Sequence, residues 1–597
     1  MTGNVHKYDM GLVGNCSYMA YIDTLANVRW LCMPRFDSDP LFGSLLAGES
    51  GGIFQIAGNH AKPHRQYYIE NTNVLCTEIE MDGGLVRVTD FAPRFAEHGR
   101  RFRPNMLFRK LEPIQGTPRV LVRCVPMASQ EGGPLEIAQG SNHLRFLGMD
   151  AMTRLTTDLP LASLLEGNPL ALTGTRWLAF TYGPPLEAPL EDTAERFLNE
   201  TLHYWRDWVK STSIHGLLQR QVIRSALVLK LHQYEDTGAL IASGSASLPE
   251  SPGSGRNWDY RYCWMRDSYY TLRAFADIGH FDEMVRYFGF LENIVSQQPE
   301  HIPPLLTLTG QPVPEEESPA WPGYCGETPV RLGNGANVQQ QFDVYGQMLV
   351  AMLPLYLDHR LASRRPIKEL GLVEHLLNLM ERDFDTPDAG IWEFRNLRQQ
   401  HAYTYLFHWA GAKAAWALGC SRHHTSLQSR AATLADRAAR KLENCWSPET
   451  NRYGQAVGSS VADASTLQLI AMGYLDPTSP RADQHLRSLE RELDAPNGLF
   501  FRYRAKDDFG APESAFLIAA FWRVEALACV GRLTEAREHL QRLTGCGNHL
   551  GLFSEDVSLN GGQWGNFPQT YSHVGLMNAV SRIAMREDKP FFLEDYA

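Results

Sequence analysis

Residues 256–275 read RNWDYRYCWMRDSYYTLRAF. Trp258 and Trp264 share this stretch with four tyrosines, four arginines and two aspartates. The mixture is too charged for a plain core helix and too aromatic for a solvated one. A sugar ring offers apolar C–H faces and a rim of hydroxyls. Aromatic rings cover such faces, and Arg or Asp binds the hydroxyls through charge-assisted hydrogen bonds. Trp258, Tyr262, Trp264, Arg266 and Asp267 supply that combination just ahead of a predicted helix. The competing reading is loop packing, with Asp267 as a helix cap.

Two further loops carry carboxylates beside rings. In DAGIWEFRN (388–396), Glu393 lies between Trp392 and Phe394. A carboxyl among rings is poorly solvated and holds its proton more tightly, as a general acid must. The alternative is a surface glutamate paired with Arg395. In GLFSEDVSLNGGQWGNFPQTYSHVG (551–575), Glu555 and Asp556 share a loop with Trp564, Asn566 and Phe567. No ring adjoins Glu555, so it is expected to stay ionised and could act as a base; the alternative is a solvated acidic turn. Two carboxyls in contrasting surroundings are the equipment of glycoside hydrolysis.

Other chemistries lack their motifs. GNGAN (333–337) fits neither a dinucleotide nor a phosphate-loop pattern. Ser572-His573 has no GxSxG around a serine. His401, His408 and the His423-His424 pair lack metal-like partners at clear spacing and read as ordinary histidines.

These loops need a scaffold. The chain has 597 residues, 44% hydrophobic and 21% charged, in the range of an ordinary globular protein of more than one domain. A net charge of −11 makes nucleic-acid binding a poor expectation. No run approaches about 20 uninterrupted apolar residues, so no membrane span is expected. MTGNVHKYDMGLVGN shows no basic region followed by an apolar run, and the ten cysteines lack CxxC spacing. Both features predict a cytoplasmic protein with reduced thiols and no zinc site.

The first two hundred residues have strand character. VLCTEIEMDGGLVRVTDF (74–91) reads as a hairpin around Asp82-Gly83-Gly84, and 119–127, 143–149 and 176–182 as further strands. An antiparallel β-sandwich packs such strands. From about residue 190 the period becomes helical: apolar stripes fall at 217–234, 268–278, 282–296, 341–357, 366–382, 403–418, 424–443, 463–473, 483–493, 513–530, 533–544 and 572–586. About twelve helices separated by long loops suggest six helical hairpins closed into an (α/α)6 barrel. The expected organisation is a β-sandwich over 1–190, a helical linker over 191–215 and a barrel over 216–597. PVPEEESPAWPG (312–323) reads as a surface loop.

RNWDYRYCWMRDSYYTLRAF closely resembles the signature of the glucoamylase-type glycoside hydrolases, family 15. So do GYCGETPVRLGNGANVQQQFDVYGQ (323–347), GIWEFR (390–395) and GLFSEDV…GNFPQTYSHVGLMNA (551–579), and residues 11–46 resemble the start of the bacterial and archaeal branch. The resemblance runs through five blocks in order, nearly end to end. It implies a β-sandwich followed by an (α/α)6 barrel, and hydrolysis of terminal α-glucosidic bonds with inversion. It implies Glu393 as general acid and Glu555 as general base. It places Arg266 and Asp267 on the outer hydroxyls of the terminal glucose, with Trp264, Trp392 and the loop around Arg331 completing that subsite. It implies no metal or organic cofactor.

The substrate is less constrained. Maltooligosaccharide or starch, as in glucoamylase, is the first expectation, with β-glucose as product. Trehalose is the second, and isomaltose-type sugars the third. A disaccharide phosphorylase would carry a phosphate site in place of Glu555, and a non-catalytic sugar-binding protein would have lost a glutamate. One departure stands out. Where many bacterial relatives continue with a segment like HFTHSK, this chain has QHAYTYLFHW (400–409). Tyr403 and Tyr405 then stand for the usual histidine and lysine, near enough to Glu393 to shape the acceptor side.

Overall fold

The computed structural model describes residues 5–127, 135–297, 300–359, 361 and 370–587. The 74–91 hairpin forms as expected: Leu75–Met81 pairs with Gly84–Phe91 around Asp82-Gly83, with Gly83 at φ +87°. Glycine supplies that left-handed backbone without steric cost. The hairpin belongs to an eight-stranded antiparallel sheet whose centre is Met106–Gly116 and Arg176–Tyr182. A meander of Met10–Gly14, Met19–Asp23, Val28–Cys32 and Pro40–Phe42 and a three-stranded sheet face it. Val13, Ala20 and Leu31 of the meander share one apolar core with Ile79, Val86, Leu107 and Phe180 of the large sheet.

The meander has two buried faces. Residues alternate sides along a strand. Met10, Leu12, Met19, Tyr21 and Trp30 therefore point the other way, into the core of the helical part. The predicted linker is a single helix, Leu190–Lys210, and it also packs. Its Ala194, Phe197 and Leu198 cover Phe91, Phe108 and Trp177 on the outer face of the large sheet.

The helical part is an (α/α)6 barrel. Six helices form the inner ring: Met265–Asp277, Asp343–Leu357, Ala402–Ser421, the pair Ala464–Leu467 and Gln468–Ala471, Leu517–Cys529 and Thr570–Arg586. Each packs on the next, and the last packs on the first. Leu517–Cys529 is buried at every position, which is why its sequence is apolar but for Arg523 and Glu525. The outer helices, such as Pro480–Leu493 and Leu533–Thr544, bury only a stripe. The 366–382 stripe corresponds to the helix Gly371–Asp383; positions 366–369 lie outside the described residues.

A buried ion cluster joins the two halves. Glu235 lies 2.7 Å from Arg94, 2.5 Å from Arg101, 3.1 Å from Arg286 and 3.7 Å from Lys230; Lys230 also meets Glu283 at 3.0 Å. Burial pushes the Glu235 carboxyl up, but the Arg94, Lys230, Arg101 and Arg286 charges outweigh it and hold it far below the usual carboxylate range. Glu235→Gln would leave Arg94 and Lys230 buried without this carboxylate. Such a loss costs about 3–5 kcal/mol. Urea unfolding is expected to show a midpoint lowered to match.

Candidate active site

All six inner helices present their N-terminal ends to one pocket. Five of the preceding loops line it directly, with Trp264, Gln339, Glu393, Phe516 and Glu555 among the lining residues. The sixth supplies Asp463, whose Oδ2 accepts from Trp392 Nε1 at 2.9 Å. The pocket is open at one side and lined by a mixture of rings and charged groups, the composition of small-molecule sites.

The first stretch builds one wall. Trp264 stands just before the helix Met265–Asp277, and Arg266 and Asp267 lie in its first turn. Trp264 Nε1 donates to Glu393 Oε1 at 2.8 Å, and Arg266 Nη2 to the same oxygen at 2.9 Å. Arg266 Nη1 donates to Gln341 at 2.6 Å. Burial and the Glu393 charge push the Asp267 carboxyl up, Arg266 pulls it down, and it settles at about 7. The cap position is held by Trp264, whose side chain makes no cap bond; Asp267 follows in the first turn and lines the pocket.

Glu393 sits in a turn closed by its own N–H to Gly390 O at 3.2 Å, in the left-handed region at φ +58°. Strained backbone of this kind clusters at functional sites. Its sequence neighbours do not enclose it. Trp392 turns to Asp463 and packs near Tyr503, Phe516 and Trp522, and Phe394 stacks on His401. Arg395 pairs with Glu316 at 3.0 Å, not with Glu393. The expected apolar enclosure of Glu393 is therefore replaced by three donors on Oε1, from Trp264, Arg266 and Gln341.

Glu555 also departs from expectation. The short strand Asp556–Val557 pairs with both Ala515–Phe516 and Gln563–Trp564. This folds the loop inward and leaves Glu555 only 1% exposed. Tyr260 O–H donates to Oε1 at 2.7 Å, and the Asn566 N–H to Oε2 at 3.3 Å. Burial, then Glu250 and Asp556, push the Glu555 carboxyl well above the usual range; Tyr260 and Arg502 pull it back. Only glycine fits at position 565, because a Cβ would meet that of Glu555 at 2.7 Å and φ is +71°. The loop is braced from the start of the chain. His6 stacks on Trp564 at 4.2 Å, Tyr8 N donates to Gln563 Oε1, and Tyr8 O–H donates to Gly565 O at 3.0 Å.

Both carboxyls thus line one pocket, each held by a ring from the first stretch. Tyr260 grips Glu555, Trp264 grips Glu393, and the two rings meet edge to face at 5.2 Å. Tyr260 stands where Tyr262 was expected. Tyr262 is buried behind the wall with Leu305 and Val313 and does not line the pocket. Arg331 stands behind the site as well. It meets Gly255 O and Asn257 O, pairs with Glu316 at 3.0 Å, and lies over the Trp258 ring at 4.8 Å. Glu316 shows that 312–323 is no mere surface loop; Trp321 and Val313 of that segment are buried too.

Trp258 lines the open side. Phe509 meets its ring at 5.1 Å, and Arg395 lies over it at 4.8 Å. The Asp507–Gly510 turn is clipped down there. Asp507 accepts from Arg256 and Tyr503, while Asp508 accepts from Arg395 N at 2.6 Å and Asn396 Nδ2 at 2.8 Å. Tyr403 and Tyr405 lie elsewhere, which corrects the expectation that they shape the acceptor side. Tyr403 O–H meets Tyr270 O–H at 2.9 Å below the pocket floor, and Tyr405 O–H donates to Phe384 O. Among the described residues no group of three or more His, Cys, Asp or Glu is placed to hold a metal ion.

Residues 217–581 match the model of glycosyl hydrolases family 15. The chain belongs to that family. Residues 5–158 of this family 15 enzyme match a second model, the trehalase-like N-terminal domain. Two proteins named trehalase, from Thermoplasma volcanium and Thermoplasma acidophilum, are 30% and 31% identical to it. The alignments cover 96% and 93% of this chain, and 93% and 96% of theirs. The trehalase of Mycolicibacterium smegmatis is 28% identical over 97% of this chain and 92% of its own. A crystal structure of a bacterial glucoamylase complexed with acarbose has the same fold, with a TM-score of 0.70 at 14% identity, covering 100% of this chain and 97% of that one.

Several site residues went unread in the sequence. Glu250 and Arg502 pair at 2.7 Å across one wall, and Glu250 Oε1 accepts from Trp258 Nε1 at 3.0 Å. Gln341 and Tyr571 come from separate loops or helix starts. Only Tyr260 had a signal, since it stands in the opening stretch itself.

Proposed function

We propose that this family 15 enzyme hydrolyses α,α-trehalose with inversion, with Glu393 as general acid and Glu555 as general base. The observation that carries the substrate is end-to-end similarity, at about 30% identity, to proteins named trehalase. It supports the trehalose alternative better than the maltooligosaccharide expectation. The pocket supports the same reading: the clipped Asp507–Gly510 turn and the Phe509–Trp258 contact narrow the acceptor side, which suits a disaccharide better than a polymer.

In this reading Trp264, Trp392, Arg266 and Asp267 receive one glucose, and Trp258 with Phe509 and Arg395 faces the other. Glu393 gives its proton to the bridging oxygen as the bond breaks. Glu555 takes a proton from water attacking the opposite face, which needs carboxyls about 6.5–9.5 Å apart. No helix of the described residues is long and apolar enough to cross a membrane. All ten cysteines are unpaired, which supports a reducing, cytoplasmic setting.

Glucose release from trehalose, maltose, maltotriose and isomaltose, compared without added phosphate, tests the substrate. Trehalose is expected to be turned over far faster than the others; faster release from maltose or maltotriose would overturn the assignment. Proton NMR of the first products tests the stereochemistry. Inversion yields α- and β-glucose in equal amounts, because the leaving half keeps its α configuration. Two α-anomers would mean retention.

A further inference from the structure

The wall behind Glu555 carries a charge arrangement that the reaction scheme leaves unused. Glu250 is 4% exposed, and both its oxygens are engaged: Oε1 by Trp258 Nε1 at 3.0 Å, Oε2 by Arg502 Nη2 at 2.7 Å. Arg502, Glu250 and Glu555 line the same pocket. Asp556 adjoins them, tied to Ser514 O–H at 2.7 Å. Arg256 stands on the same side, with its guanidinium on Asp507 and Gly510 O. The groups that oppose ionisation of Glu555 are thus Glu250 and Asp556, and those that favour it are Arg502 and the donating hydroxyl of Tyr260; Tyr8, bonded to Gly565 O, and Arg256 stand on the same side of the pocket.

We propose that Glu250 and Arg502 are an opposed pair of positioning residues for Glu555, the first supplying negative and the second positive charge, whose balance sets the pH at which Glu555 can take a proton from water. A buried carboxyl beside two others cannot ionise as freely as a lone one. The direction found for Glu555, raised by burial, Glu250 and Asp556 and lowered by Arg502, agrees with this geometry. Glu250 touches no reacting atom in this scheme; it acts through Glu555 and through the Trp258 ring that it orients. The inference rests on the reading of Glu555 as the base.

The sign follows directly. A base works only when deprotonated, so activity is lost as pH falls through the Glu555 pKa. In the free enzyme this limb appears in kcat/KM. Glu250→Gln removes a negative charge and leaves Arg502 less compensated, so the acid limb is expected to move down by roughly 1 pH unit. Arg502→Met removes the positive charge and is expected to move it up by a similar amount. Glu250→Asp keeps the charge and is expected to restore the native limb. A role in packing alone would lower the rate without these opposed shifts.

The profiles are best measured with α-glucosyl fluoride, since any α-glucosidase of this mechanism cleaves it. Each variant is first checked for native circular dichroism. If Glu250→Gln does not fold, Arg502→Met against Arg502→Lys reads the same balance. Acid limbs that stay at the native pH, or move the same way in both variants, would overturn the proposal. Glu555→Gln, run in parallel, separates the two readings. Near-native turnover there would remove Glu555 as base, whereas an inactive Glu555→Gln with unmoved Glu250 and Arg502 profiles would sink only the pair.

Discussion

Exchanging Glu393 for glutamine is expected to lower kcat on trehalose by about 10²–10⁴-fold, the usual contribution of a positioned general acid. Glutamine is isosteric and can still accept from Trp264 Nε1 and Arg266 Nη2, the bonds that fix this side chain. Binding and thermal stability should therefore change little. The loss should depend on the leaving group. Fluoride departs without a proton, so the variant should cleave α-glucosyl fluoride far better, relative to native, than it cleaves trehalose. An equal loss on both substrates would mean that Glu393 does not deliver the proton. Native-level turnover of trehalose would remove it from the chemistry.

Exchanging Glu555 for glutamine is expected to cost as much on trehalose and also on the fluoride. Water must be deprotonated whatever group leaves, so a better leaving group offers no relief. Glu555→Ala opens a different route. Azide needs no base, and once the side chain is gone it should restore turnover with β-glucosyl azide as the product. An α-azide would mean that attack comes from the face now assigned to Glu393. Because the Glu555 carboxyl is buried and Tyr260 O–H bonds it at 2.7 Å, the alanine variant leaves that hydroxyl without its partner. Some loss of stability is expected, about 1–3 kcal/mol for an unsatisfied buried group.

Local sequence reveals this site wherever the needed residues are neighbours in the chain. Arg266, Asp267 and Trp264 lie in one stretch, and the structure keeps them on one wall. It fails where the partner comes from another loop. Glu250 and Arg502 are 252 positions apart and meet only because the inner helices close into a ring. The surroundings of the two glutamates differ from those their sequence neighbours suggest for the same reason. Trp392 and Phe394 flank Glu393 in sequence but turn away in space, while Glu555, with polar neighbours in sequence, is carried inward by a three-stranded ladder.

The helices are legible in the sequence because apolar residues recur at helical spacing along them. Strands with buried charge are not. Met106–Gly116, at the centre of the large sheet, carries Arg109 at an inward position, fully buried and bonded to Asp90 at 2.7 Å. A paired charge in a core breaks the alternation by which such a strand is recognised.

The bond between Tyr8 and the Glu555 loop has a consequence in time. Some 547 residues separate the two positions (555 minus 8). At about 5–20 residues per second, a ribosome delivers the second roughly half a minute to two minutes after the first. The second apolar face of the meander Met10–Phe42 belongs to the core of the helical part, whose helices follow one after another from Gln219–Leu231 to Thr570–Arg586. Until those helices have been made that face lacks its cover, and an uncovered apolar sheet is the kind of surface that chaperones shield. The loop around Glu555 can take up its brace against His6 and Tyr8 only once residues 563–565 have been made.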